Sequence, residues 1–141
     1  MSQNDQTVRD RILDATERLL GRFGYRKMTV DDIAAEAGIG KGTVYLSFPS
    51  KEEVVLSTVD RIVDRVCAEM ERMASRDQDS AETLRAMLRA RIFVRLDAVA
   101  DYSASLNDLL ASVRASLLER RARHFEREID VLARVIRSGQ E

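Results

Sequence analysis

The chain has 141 residues, a length that supports about one domain and one hydrophobic core. It is 45% hydrophobic and 33% charged but only 5% aromatic, with no tryptophan, one proline and a net charge of −1. Apolar runs fall well short of the eighteen or so residues of a membrane span, so no membrane partner is expected. One cysteine, Cys67, and one histidine, His124, provide neither an intrachain disulfide nor a Cys/His zinc cage.

The polar start MSQNDQT predicts no secretory signal, and the expected compartment is a reducing cytoplasm. Without a global basic field, nucleic-acid binding would have to come from a local patch.

Gly21, Gly24, Gly38, Gly40, Gly42 and Pro49 crowd the first third, while residues 50–138 contain neither glycine nor proline. The first third therefore reads as short helices separated by turns, and the rest as long helices. The first helix is predicted over 7–23, with Val8, Ile12, Ala15, Leu19 and Phe23 on one stripe and Gly24 as terminator. Arg9, Asp10, Arg11, Asp14, Glu17 and Arg18 cover its other side.

Thr29 opens the second helix, with Asp32 placed for a variant capping box. Val30, Ile33, Ala34 and Ala37 form its apolar face, and Gly38 stops it. A third short helix runs from Lys41 to about Phe48 with Val44 and Phe48 inward, and Pro49 closes the unit.

Ser50, with Glu53 at capping-box distance, opens what reads as the longest helix, and Val55, Val59, Ile62, Val66, Met70 and Met73 carry its stripe to about Arg76. A polar connector over 76–80 leads, through Asp79 or Ser80 as cap, into a fifth helix ending near Ala100. A weaker break at 102–105 precedes a sixth helix and a long seventh, with their separation near Ala115 left open. Leu118, Phe125, Ile129, Leu132 and Ile136 mark the seventh. The predicted fold class is all-α: a three-helix unit over 7–49 followed by a bundle of long helices over 50–141.

Two short helices joined by a tight glycine turn form the pattern of a helix-turn-helix, here Thr29 to Phe48 with Ala34, Gly38 and Val44 at the packing positions. Taken alone, that pattern also fits a plain helical corner. Two details favour DNA. Tyr45 faces outward, where its hydroxyl reaches a phosphate, and Thr29, Lys41 and Lys51 stand at or near helix N-termini that attract anions. Arg26 and Lys27 add positive charge just before the second helix.

The runs Phe23-Gly24-Tyr25, Met28 to Ile39, Lys41 to Tyr45 and Phe48 to Glu52, with Arg11 to Ala15 before them, closely resemble the TetR family of bacterial transcriptional regulators over about residues 9–56. The resemblance implies a repressor whose third helix enters the major groove of operator DNA. It carries DNA contacts onto Thr29, Lys41, Gly42, Thr43, Tyr45, Leu46, Ser47 and Lys51. Of these, Thr29, Tyr45 and Lys51 would touch phosphates, Lys41 a phosphate or guanine, and Thr43 and Leu46 a thymine methyl. Gly40 departs from the family's usual Ser or Thr cap, a small loss because glycine is an acceptable N-cap.

In that family the later helices enclose a small-molecule effector pocket, and two final helices make a dimer. Pocket candidates are Met87, Arg91, Phe93, Arg95, Leu96, Tyr102, Leu106, Leu110 and Phe125, although simple packing is the commoner role for such residues. For Arg91 and Arg95 an ion pair with Asp97, Asp101 or an acid of the last helix is preferred to an effector contact. Cys67 is expected to pack and His124 to lie on the surface.

The two dimerising helices are expected to be absent here. Their loss would bare apolar surface around Leu110, Leu117, Leu118, Phe125 and Leu132 and favour a non-standard homodimer or aggregation. No cofactor, metal or catalytic constellation is expected. The competing reading is a helical protein–protein interaction module without DNA affinity.

Overall fold

The computed structural model describes residues 3–75, 79–100 and 106–140, with helical backbone alone at 3–6, 94–100, 106–110, 112 and 114. Six helices follow one another: α1 Gln3–Lys27, α2 Val30–Ala37, α3 Lys41–Ser47, α4 Lys51–Ala74, α5 Ser80–Ala100 and α6 Leu106–Ser138. The architecture is all-α, as the breaker pattern predicts.

Two sequence expectations change. The sixth and seventh helices are one: α6 runs unbroken through Ala115 and, not α4, is the longest element. Nothing between 106 and 138 lacks an amide hydrogen or needs a positive φ, so the ladder continues. Gly24 does break α1, as expected: the span joins two helices across it. Its φ of 74° leaves the helix, and Met28 N–H donating to the Gly24 carbonyl closes one more turn. His124 is not a surface residue: its side chain is largely covered, and Nε2 lies 3.0 Å from Asp60 Oδ1. That is ion-pair distance without hydrogen-bond alignment.

Caps set the element boundaries. Thr29 and Asp32 make a complete capping box on α2, and Ser50 Oγ accepts the Glu53 amide at the start of α4. The Glu53 carboxylate turns to Arg120 of α6 instead, accepting from Nη2 at 2.6 and 2.7 Å. Asp79 Oδ2 accepts the Glu82 amide ahead of α5.

Two hydrophobic clusters result. The first joins Ile12, Leu19 and Leu20 of α1, Ile33 and Ala34 of α2 and Val44 of α3 to Phe48, to Val54 and Val55 of α4 and to Val113 of α6. The second joins Val66 and Met70 of α4 to Met87 of α5 and Val131 and Val135 of α6. Cys67 is buried on α4, as expected. Among the described residues, only those of α4 and α6 contribute to both clusters. On α6, Arg127 and Arg134 donate to Asp64 and Glu71 of α4, and Arg120 pairs with Asp60 as well as Glu53. These partners ascend together, so α4 and α6 run parallel.

Arg91 of α5 donates to Glu128 of α6 at 2.6 Å, and Glu128 is 1% exposed. The ion pair with an acid of the last helix is thus the one formed. Removing Arg91 withdraws the counter-charge of a buried carboxylate. Arg91→Met is therefore expected to cost about 3 kcal/mol, and adding Glu128→Leu to return most of it. Urea midpoints of the two variants measure this.

Asp32 gives a pH dependence. Hydrogen bonds from the Thr29 side chain and backbone hold its carboxyl below the ordinary range. A lowered native pKa means the cap contributes fully above the ordinary carboxylate value and is lost as pH falls through the native one. The difference in urea midpoint between wild type and Asp32→Ala should shrink between about pH 6 and about pH 3.

Candidate nucleic-acid interface

The α2–α3 pair is built around a left-handed residue. Gly38 has φ 66° and ψ 40°, and the Ile39 amide donates back to the Ala34 carbonyl at 3.0 Å, a Schellman-type stop. A Cβ at Gly38 would stand 3.3 Å from Arg11 Nη2 on a backbone that already disfavours side chains. Ala34 and Val44 are buried across the turn, and Ile39 packs against the same cluster. Only one face of α3 is left free.

Lys41, Gly42, Tyr45 and Leu46 are exposed on that face, while Thr43 and Ser47 are half-buried. Leu46 is 89% exposed, the most open large apolar side chain described. A Cβ at Gly42 would meet nothing within 4 Å, so bare backbone lies open to close approach. Gly40 caps α3 without a side-chain bond, in an extended conformation.

Three candidates are already engaged. Lys41 Nζ donates to Asp31 Oδ2 at 2.7 Å, and this carboxylate holds the ammonium above its usual range. The Thr29 hydroxyl serves the α2 cap. Lys51 sits deeper than expected: Nζ donates to the carbonyls of Tyr25 and Met28 at 3.0 Å each and lies over the Tyr25 ring. Burial lowers its pKa.

Sequence reasoning assigned Arg9 and Arg11 to a solvated face, but they hold the motif together. Arg9 Nη1 donates to the Ser47 carbonyl at 2.6 Å and stacks on Phe48, and Arg11 Nη2 donates to the Ala37 carbonyl at 2.5 Å. With Lys51, three cations meet the C-terminal carbonyls of α3, α2 and α1, where the helix dipole favours positive charge. No local signal marks them, since each bond spans at least 23 residues.

The described pocket candidates have different surroundings. Met87 is in the second core, Phe93 is exposed beside Met73 and Arg89, and Phe125 lies between Arg91 and Arg121. Tyr102 and the side chains of Arg95, Leu96, Leu106 and Leu110 lie outside the described residues.

Residues 12–65 match the model of the family described as bacterial regulatory proteins, tetR family. The transcriptional regulator EthR of Mycobacterium tuberculosis is 38% identical over 69 residues, covering 49% of this chain and 32% of the relative. The transcriptional repressor KstR of Mycolicibacterium smegmatis is 34% identical over 73 residues, covering 52% and 36%. The chain thus spans only about a third of these relatives.

The crystal structure of a TetR family transcription regulator from Marinobacter aquaeolei superposes with a TM-score of 0.74 at 26% identity, over 99% of this chain and 72% of the other. These relatives are named as regulators, not enzymes. Over residues 12–65, which hold the capped and arginine-braced helix-turn-helix, the chain is similar to the tetR family of bacterial regulatory proteins.

Proposed function

We propose that the chain is a DNA-binding transcriptional repressor of the cytoplasm, acting as a homodimer and released from its operator by a small-molecule effector. Residues 7–49 form its DNA-binding unit and residues 50–141 its regulatory unit. One observation carries the reading. α3 presents Lys41, Gly42, Tyr45 and Leu46 to solvent while Val44 and Phe48 anchor it from behind. In the major groove, the Tyr45 hydroxyl and Lys41 reach phosphate or base edges, and Leu46 offers an apolar contact to a thymine methyl.

Similarity to a family of regulators over residues 12–65 supports the repressor reading, and α4, common to both cores, supports a link from bundle to motif. Two protomers would read half-sites about 34 Å apart.

Selection of bound fragments from a random DNA pool, followed by anisotropy titrations in rising salt, tests this. Tyr45→Phe should weaken binding nearly equally across sequences, and Lys41→Ala should lower the salt slope by about 1 if Lys41 meets a phosphate. Circular dichroism should be unchanged in both. Enrichment of no sequence by a folded chain would favour the interaction-module reading instead.

Asp31 supplies a further check. Its carboxylate occupies the Lys41 ammonium and places negative charge beside the DNA-facing surface. Asp31→Asn should tighten binding several-fold on all duplexes, with the largest gain at low salt.

A further inference from the structure

The first turns of α2 and α3 meet at one ion pair. Asp31 is the second residue of α2 and Lys41 the first of α3, and Lys41 Nζ donates to Asp31 Oδ2 at 2.7 Å. The neighbouring Asp32 is committed to the Thr29 cap, in which Asp31 takes no part. The Asp31 and Lys41 side chains are 67% and 49% exposed. Gly40 and Gly42 flank Lys41, so no side chain next to it in sequence screens the pair from a duplex.

Neither local stability nor strapping accounts for this placement. A cation in the first turn of a helix stands against its dipole, and an exposed ion pair holds two helices only weakly. Beside phosphates a carboxylate is also repelled, a cost recovered only where a base offers it a proton. Cytosine N4 does so in the major groove, next to guanine O6 and N7, which accept from a lysine. O6 and N4 are hydrogen-bonded partners about 2.9 Å apart, close to the separation of ammonium and carboxylate here. Asp31 takes one of the three ammonium donors, which leaves two for O6 and N7, and a carboxylate has a second oxygen for N4. An A·T pair would give Lys41 one acceptor in place of two and set thymine O4 near the carboxylate.

We infer that Asp31 is a specificity-determining residue: with the ion pair intact, Lys41 donates to a guanine while Asp31 accepts from N4 of the paired cytosine, so the two read one G·C base pair. This rests on the proposed DNA-binding function and deepens it by naming a base preference and the residues that set it.

Selection from a random duplex pool with the wild type and Lys41→Ala first identifies the base pair that Lys41 reads, expected to be G·C. Anisotropy titrations then compare duplexes carrying each of the four base pairs at that position. The wild type should prefer G·C over A·T roughly tenfold or more. Asp31→Ala should cut that ratio several-fold, mostly by tightening the three other duplexes, with circular dichroism unchanged. A carboxylate that only repels DNA would instead make Asp31→Ala tighter on all four by one factor, and that result overturns the proposal. So does the lack of a G·C pair whose preference depends on Lys41, or a change confined to some other position. Enrichment with base preferences untouched by Asp31→Ala overturns this inference alone, whereas enrichment of no sequence overturns the DNA-binding reading and this inference with it.

Discussion

The whole arrangement depends on α4 belonging to two cores at once. Val54 and Val55 close the cluster beneath the helix-turn-helix, and Val66 and Met70, three turns further on, build the cluster with α5 and α6. Each such side chain contributes about 2 kcal/mol on burial. The rod between them is a continuous helix of 24 residues, about 36 Å long. A shift at one end is carried to the other because a packed helix rotates or translates as a body. Arg61 ties this rod to α1 through Asp14 and Glu17, at 2.8 Å each.

Polar contacts set register more than stability. The Arg127–Asp64 and Arg134–Glu71 pairs are about half-exposed, so solvent screens them and they add little to stability. Their spacing, seven residues on both helices, keeps α6 from sliding along α4. Arg120 lies deeper, held by Glu53 and Asp60, with His124 closing over Asp60. The Glu53 carboxylate is therefore taken by the ladder and does not complete the α4 cap. At the other end, Arg9, Arg11 and Lys51 donate to carbonyls at the C-terminal ends of α3, α2 and α1. These bonds leave the exposed face of α3 clear.

Much of this was legible in the sequence because it is local. Gly38, Pro49 and the caps Thr29, Ser50 and Asp79 announce themselves within a few residues, and the inward Val44 and Phe48 leave Lys41, Gly42, Thr43, Tyr45, Leu46 and Ser47 to face outward in varying degree, Thr43 and Ser47 being half-buried in the structure. The outward face of α6 was legible too, as a stripe, but not which part of it α5 would cover. The single helix α6 was harder to read: a run such as Tyr102-Ser103-Ala104-Ser105 is a weak break, and nothing nearby fixes where a following helix starts or whether it is interrupted. His124, surrounded in sequence by arginines, reads as solvated until Asp60, 64 residues earlier, is brought beside it.

By itself, then, the sequence determined the all-α class, the breaks in the first third and the residues α3 would show, since propensity, capping and periodicity act over one or two turns. Only the tertiary structure decided that α4 and α6 run parallel, that Arg9 and Arg11 brace the motif, that Lys51 is spent on the end of α1 and that Arg91 answers a buried Glu128. Those choices depend on which helices become neighbours. A charged residue on a helix face has the same local signature whether it meets water, a carbonyl or an acid from another helix.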